Sequence, residues 1–578
     1  VAYPSLRAFI EALEQAGELH RITAPVSSQL EVSEIVDRVS KSPAANLSHH
    51  AARHDPLHHH LGGQALLFEN VQTPQGDASC PLLMNAWGSY RRIEMALGCD
   101  PPEAGGLDGL AAKVASLVKP EPPAKLMDKV RKGLELAKVA SLPPKVQRGD
   151  GPCQEVVHTG DEIDLRRLPI IKCWPLDGDP RKVNYPMSPE QAGTDGGDGR
   201  YITLAGIYTI HPDDAGKPHG EPRTSRNVGM YRAQLLGART TAMHWHMHHD
   251  GARHWRAWKQ AHAGPPTGNP AIDNVPGMPC AIVLGGESVL PYAATAPLPP
   301  GISELIFAGF LHGSAIKLCK CKSLDLEVPA EAEIVIEGYV STKAGGIGFD
   351  PRPRHGEPPP DLGPEAVFEG PFGDHTGFYS LPDRYPVFQV TAVTQRRKPI
   401  YPATIVGYPP QEDYYLGKAT ERVFLPLLQT LVPDVIDYDL PMFGAFHNCA
   451  ILQIKKEYPL QARRLMHAIW GAGQMAWTKV LIVVDHDVDP HDHQKVLFAA
   501  CANVDPSRDL EQVHGPLDIL DHAAPRLGAG GKIGIDATRK IDGEQVGGEP
   551  VRDWPPWIDM SSDIVDLVDR RWDEYGFN

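Results

Sequence analysis

Apolar residues recur along the chain with two different periods, and the change of period divides it into three parts. Near the start, Leu6, Phe9, Ile10 and Leu13 follow Ser5 at helical spacing and stop at Gly17, which predicts a capped amphipathic helix. That helix opens a mixed α/β segment over 1–145. A polar insert at 42–63 interrupts it, holding His49, His50, His54 and the run His58, His59, His60. The insert reads as a flexible surface tract without a scaffold. Metal binding by its imidazoles is the other reading.

From 146 to 395 the period falls to two. Segments 201–211, 240–248, 280–284 and 333–340 are rich in β-branched and aromatic residues or alternate, with Gly/Pro turns between them. Short strands of this kind predict a sheet that closes on itself, a barrel. A Gly/Pro-rich stretch at 343–364 precedes Glu369 and reads as a loop covering a site. Beyond 395, strands at 402–406, 448–454 and 480–484 alternate with helices at 420–431 and 460–471, and the tail at 561–575 forms a short amphipathic helix. That rhythm predicts an α/β layer domain over 396–578. The fold class is thus α/β (α+β multidomain).

Composition narrows the function. With 578 residues, 42% hydrophobic and 22% charged, the chain is globular and too long for one core. Its 56 Lys and Arg against 72 Asp and Glu give a net charge of −16, without a basic run, which disfavours a nucleic-acid partner. An anionic ligand would need a local cation. Nine irregularly spaced cysteines suit reduced thiols better than a disulfide framework. Cys319 and Cys321 are too close for the usual structural zinc spacing. No stretch approaches the roughly 20 apolar residues of a membrane span, and the start shows no secretory pattern, so a cytoplasmic location is expected.

Several segments carry candidate chemistry. His244, His246 and His248 alternate along the 240–248 strand and would share one face. Either they bind a metal, zinc among the options, or they are solvated or singly hydrogen-bonded histidines. Glu369 and Asp374 bracket a Gly-Pro-Phe-Gly turn that fixes two acids relative to each other. Acids so placed have their proton affinities driven apart; two exposed acids on a turn are the alternative. Arg232 ends the run RNVGMYR and can grip a carboxylate. Gly528, Gly530 and Gly531 lead to Lys532, a phosphate site or a surface turn. Asp485, Asp487 and Asp489, with His486, His491 and His493, read as a solvated strand-end loop, since Pro490 stands where a calcium loop needs glycine.

Taken together, the segments LRAFIEALEQAGELHRI, GDEIDLRRLPI with the following CWP, RNVGMYR, SELIFAG, DLEVPAEAEIVIEGY, EGPFGDHTG and GGKIGIDATRK resemble the UbiD family of decarboxylases, which use prenylated FMN. The resemblance runs nearly end to end. It implies an N-terminal α/β domain, a central split β-barrel that binds the flavin, and a C-terminal α/β oligomerisation domain assembling homodimers or hexamers. It implies a metal, manganese with magnesium as an alternative and potassium nearby, held by Asn227, His248 and Glu304. Of the strand-face histidines, only His248 would then ligate metal.

The same resemblance places Met230, Tyr231, Arg232, His244, Trp245, His246 and His249 around the flavin, and Lys532 on its phosphate. His244 and His249 stand where the ubiquinone-pathway enzymes have arginines. Arg232, Glu369 and Asp374 match the family's catalytic network, with Asp374 as proton donor and Arg232 orienting the substrate carboxylate. Aspartate at 374 resembles the branch acting on hydroxyarenes. GMYR, YPATIVG, LGKATERVFLPLLQ and FHN are closer to decarboxylases of the futalosine route to menaquinone, so 1,4-dihydroxy-6-naphthoate is the expected substrate of a non-oxidative, reversible decarboxylation. A 4-hydroxy-3-polyprenylbenzoate of ubiquinone biosynthesis is the alternative. The resemblance also implies dependence on a flavin prenyltransferase. A zinc hydrolase using the histidine strand and Glu369 is the rival of another class.

Overall fold

The hydroxyl of Ser5 accepts the Ala8 amide at 3.3 Å and starts the helix Leu6–Gln15, whose Leu6, Phe9, Ile10 and Leu13 are all buried. The computed structural model describes residues 2–118, 142–185, 198–218, 220–247, 249–298, 303–347, 364–545 and 551–577. The first helix leads into a sheet of Leu19–Ile22, Ala65–Phe68 and Leu82–Met84. Its fourth strand is Tyr401–Pro402, parallel to Leu82 and Leu83. The expected strand at 402–406 is therefore shorter and belongs to the N-terminal sheet, not to the C-terminal layer. Tyr401 is fully buried there, so its side chain completes a core that the N-terminal residues leave open.

The His-rich insert is also not a loose tract. Asp55 is buried and accepts hydrogen bonds from the Tyr90 hydroxyl at 3.1 Å, the Tyr414 hydroxyl at 2.7 Å and the His58 amide at 3.1 Å. A buried carboxylate persists only with such partners, and here they come from two other parts of the chain. His54 packs edge-on to His491 at 5.3 Å, so the insert reaches the C-terminal domain as well.

Six strands form the closed barrel, in the order Thr240–Met243, Asn227–Gly237, Tyr201–Thr209, Gly277–Gly285, Ala332–Ser341 and Asp383–Gln395. Closure comes from Thr240, Thr241 and Ala242 pairing with Gln389, Phe388 and Val387. Gly277–Gly285 is buried almost throughout because both of its faces are covered. One outer cover is the helix Asp250–Ala263, whose Trp255 and Trp258 donate their ring N–H groups to the Ser341 and Ile210 carbonyls, each at 2.8 Å. The predicted strand at 240–248 ends at Met243. His244, Trp245 and His246 follow in irregular backbone, and the alternation that would put imidazoles on one face is absent. Of the expected loop at 343–364, residues 348–363 lie outside the described residues.

The long helix Glu412–Leu431 joins barrel to C-terminal domain and begins eight residues before the predicted start. The added turns bury Tyr414, Tyr415 and Ala419 together with the charged Glu412 and Lys418, and this mixture hides the helical period that 420–431 shows. Beyond it, strands Val435–Asp439, Cys449–Ile454, Val480–Asp485, Ala529–Asp536 and Leu510–Pro516 lie in that order. The middle three are parallel, as the strand–helix alternation predicts. The tail helix Ser562–Arg570 is exposed along its length. Among the described residues, no helix is long and apolar enough to cross a membrane.

Candidate active site

The site is assembled on a hairpin. Ala366–Glu369 pairs with 383–386, and after Gly370, at φ +101°, Phe372 and Gly373 pair with Ser380 and Tyr379. The turn is pressed against the segment 173–178. A Cβ at Gly373 would lie 2.1 Å from Trp174 Cδ1, so no larger residue fits without displacement. Buried Asp177 accepts the Gly373 amide and the Trp174 amide, each at 2.8 Å, and ties the two segments together. Glu369 and Asp374 are thereby fixed in relation to each other.

Arg232 reaches them from the barrel. The pairing between Asn227–Gly237 and Tyr201–Thr209 shifts register between Tyr231 and Ala233, so that Arg232 stands opposite both Thr203 and Leu204, a bulge whose extra residue lies on the Tyr201–Thr209 strand. Bulges re-aim side chains in this way. Arg232 donates from Nε to Glu369 Oε1 at 2.8 Å, from Nη2 to Glu369 Oε2 at 3.1 Å, from Nη1 to Asp374 Oδ2 at 2.6 Å and from Nη2 to Ser380 Oγ at 3.0 Å. Its guanidinium lies 4.4 Å from the Phe372 ring centroid. His244 Nδ1 is 2.8 Å from Glu369 Oε2, and its ring lies on Tyr385 at 4.3 Å.

Charge decides the protonation of this group. Burial pushes the Glu369 carboxyl up, but Arg232 and His244 outweigh it and bring it down to about 2. Burial likewise opposes ionisation of Asp374, yet the hydrogen bond from His375 and the charges of Arg232 and His375 hold it well below the usual range. His375 Nδ1 lies 3.0 Å from Asp374 Oδ1, and this pairing overcomes burial to raise the imidazole to about 9. Its other nitrogen, Nε2, lies 2.6 Å from His447 Nε2.

Arg232, His244, Asp374 and His375 face a cavity of about 360 Å³, lined also by Met230, Tyr231, His246, His249, Phe446 and Trp477. A second, mainly apolar cavity of about 370 Å³ adjoins it, sharing Met230, Thr295, Asp413, Leu416 and Phe446. Leu427, Leu428, Leu440 and Met475 extend the apolar wall.

At the far end of the Arg232 strand is a corner suited to a cation. Asn227 opens the strand and Glu304 opens the helix Glu304–His312, with the Val228 amide donating to Glu304 Oε2 at 3.2 Å. Burial raises the Glu304 carboxyl to about 7, and no described cation pairs with it. Asn227 Nδ2 is buried without a partner among the described residues. A hard divalent ion would take the Glu304 carboxylate and the Asn227 amide oxygen as ligands, while the Asn227 Nδ2 group would need an acceptor such as a phosphate oxygen. His248 lies outside the described residues.

Three domain families, described as the N-terminal, Rift-related and C-terminal domains of 3-octaprenyl-4-hydroxybenzoate carboxy-lyase (UbiD), match residues 10–106, 144–409 and 414–537. The chain belongs to the UbiD family. An uncharacterized protein of Aquifex aeolicus is 41% identical over 574 residues, 99% of each chain. The closed form of the Sedimentibacter hydroxybenzoicus vanillic acid decarboxylase superposes with a TM-score of 0.71 over 100% of each chain, at 22% identity. An evolved dimeric form of the UbiD-class enzyme HmfF from Pelotomaculum thermopropionicum, in complex with prFMN, gives 0.63 over 94% of this chain and 97% of its own, at 24% identity. UbiD members are carboxy-lyases, and the three-domain fold is shared with these structures.

Within this UbiD chain, the structure gathers Arg232, Glu369, Asp374 and His244, and puts Met230, Tyr231, His246 and His249 on the same cavity. Trp245 is fully buried behind it, edge-on to Tyr231 at 6.2 Å. Lys532 does not line the cavity. It sits on Ala529–Asp536 with its ammonium bonded to the Ala476 carbonyl, one residue from Trp477, and burial lowers it to about 8. The zinc-hydrolase alternative has no support, because the histidine face does not form and Glu369 is committed to Arg232 and His244.

Other residues were missed. His491 is not on a solvated loop: it is buried against Asp439 at 3.2 Å, in a cluster with Glu421. The place a metal would take there is filled by the Lys418 ammonium, 2.6 Å from Glu421 and 2.5 Å from Asp439. His375 was visible in the EGPFGDHTG motif but carried no assigned role, and His447 stands in FHN without any local sign of chemistry.

Proposed function

We propose that this chain catalyses the non-oxidative, reversible decarboxylation of a hydroxylated aromatic carboxylic acid, with prenylated FMN as cofactor and 1,4-dihydroxy-6-naphthoate as substrate. The observation that carries this reading is the Arg232 guanidinium held by Glu369 and Asp374 beside a cavity with aromatic walls. The prFMN complex named for HmfF supports the cofactor. When bound, prenylated FMN supplies the electron sink that side chains lack for the electron pair left as carbon dioxide departs.

The chain's own residues do the rest. Arg232 orients the substrate carboxylate, and its clamp on Glu369 keeps that charge in place without reorganisation. Asp374 delivers the proton that replaces the carboxyl group. Asn227, His248 and Glu304 hold manganese, or magnesium, with potassium nearby, and the half-buried Glu304, which has no cationic partner among the described residues, fits that task. Such an ion would let an acidic chain hold the cofactor phosphate. Met230, Tyr231, His244, His246 and His249 shape the flavin's surroundings, and Lys532 is the proposed phosphate contact of the C-terminal domain. Assembly into homodimers or hexamers through that domain, and cofactor supply by a flavin prenyltransferase, belong to the same reading.

The adjoining apolar cavity favours a second substrate, a 4-hydroxy-3-polyprenylbenzoate, whose tail would lie along Leu427, Leu428 and Leu440. The test is production of the chain with and without a flavin prenyltransferase, mass analysis of the extracted cofactor, and assay of carbon dioxide release from both acids. Activity only after co-production is expected. Full activity with FMN alone would overturn the proposal.

A further inference from the structure

Asp374 is the residue placed to protonate the product, yet in the resting site it holds no proton to give. One carboxylate oxygen accepts from Arg232 at 2.6 Å, and the other accepts from the His375 amide at 2.9 Å and sits 3.0 Å from His375 Nδ1. These donors keep it ionised far into acid. Glu369 is no better supplied, since both of its oxygens are taken by Arg232 and one also by His244. A turnover needs one proton for each carbon dioxide released, and the nearest N–H that can part with one is on the imidazole of His375.

We propose that the proton ending on the product carbon is stored on His375 and passed through Asp374, with His447 as the residue that keeps His375 charged and oriented. This rests on the decarboxylase reading above. In the transfer, the His375 Nδ1–H bond breaks as Asp374 Oδ1 takes the proton. The Asp374 O–H bond then breaks as the product carbon takes it, using the electron pair left by the departing carbon dioxide. His375 ends neutral with its remaining proton on Nε2, and recovers the lost one from solvent after product release.

Geometry supports each part. The two Nε2 atoms, 2.6 Å apart, have room for one hydrogen between them, so one ring donates and the other accepts. His447 is the acceptor: burial and the charge of His375 lower it to about 4, while His375 is raised to about 9. Carboxylates face both rings, and the difference is that His375 holds one at 3.0 Å whereas His447 has its nearest at 3.6 Å. Asp374, Asp518 and Asp413 face His375, with Arg232 beyond Asp374, while Asp518, Asp374 and Asp521 face His447. Asp518 Oδ2 is 3.6 Å from His447 Nε2. The chain of groups thus crosses from the barrel hairpin to two loops of the C-terminal domain.

His375 acts through Asp374 and His447 through His375, so both are positioning residues, and the test must read protonation as well as rate. In 15N-histidine NMR of the full chain, assigned by comparison with His375→Gln, the His375 ring should be doubly protonated at neutral pH and titrate near 9. In turnover of the accepted acid, the wild-type rate should fall on the alkaline side as this ring discharges. His375→Gln should lower kcat by about a hundredfold, the scale of a lost general acid, and remove that limb. His447→Leu should move the limb to lower pH, and His447→Gln, whose amide oxygen still accepts, should move it back. A neutral His375 at pH 7 overturns the proposal whether or not any acid is turned over. An unchanged alkaline limb in His375→Gln overturns it too, as does the same limb vanishing in Asp413→Asn alone. Absence of turnover with every acid, alongside a charged His375, instead counts against the decarboxylase reading.

Discussion

Arg232 holds Glu369 through two hydrogen bonds, 2.8 and 3.1 Å long, from adjacent nitrogens of one guanidinium. The planar fork fixes both side chains at once, a geometry that an ammonium group does not reproduce. Arg232→Lys should therefore keep the charge and lose the function. The expected result is a fall in kcat/KM of at least about a hundredfold, with an unchanged far-ultraviolet circular dichroism spectrum.

The same pair makes acid stability predictable. Glu369 is lowered to about 2, so its contribution is present above the ordinary carboxylate range near pH 4 and is lost as pH falls toward 2. That contribution is about 3 kcal/mol. Urea unfolding of wild type and Glu369→Gln should show a stability gap that narrows from pH 5 to pH 2. A constant gap would contradict the assigned charge state.

The cation corner can be tested apart from turnover. Manganese should raise the melting temperature of the wild-type chain, whereas Glu304→Gln and Asn227→Ala should lose that rise while melting close to the metal-free wild type. Differential scanning fluorimetry with and without chelator measures it.

Gly373 faces Trp174 too closely for a methyl group. Gly373→Ala should push the hairpin off the Asp177 tether, costing about 1–3 kcal/mol of stability as overpacking does. The larger loss should be in activity, because Asp374 moves with the turn.

Much of this arrangement can be read in the sequence, and the rest depends on contacts between distant segments. β-branched and aromatic residues at 201–211 and alternation at 333–340 mark strands that the structure places at Tyr201–Thr209 and Ala332–Ser341, and the Gly-Pro-Phe-Gly spacing marks the paired acids. The 240–248 pattern misleads because His244 is diverted to Glu369 and Tyr385, partners more than a hundred residues away. His447 and Asp518 carry no local motif; only the packing of C-terminal loops on the hairpin brings them to His375. The polar run around His491 predicts exposure, but its partners Asp437 and Asp439 lie on a strand some fifty residues earlier.

Lys418 gives a further prediction. Its ammonium bridges buried Glu421 and Asp439, which Arg422 and His491 also touch, so Lys418→Met removes the one cation that the two carboxylates share among the described residues. A loss of about 3–5 kcal/mol is expected in equilibrium unfolding of that variant, and added divalent metal should not stabilise this cluster in the wild type, where the place is filled.

The hydroxyls of Tyr90 and Tyr414 meet on a single oxygen of Asp55, one from the N-terminal domain and one from the long helix that leaves the barrel. Any swing of that helix away from the N-terminal lobe must pull one phenol off the shared oxygen. Such a movement would begin with a discrete rupture rather than gradual bending, so the insert would act as a latch between these two parts of the chain.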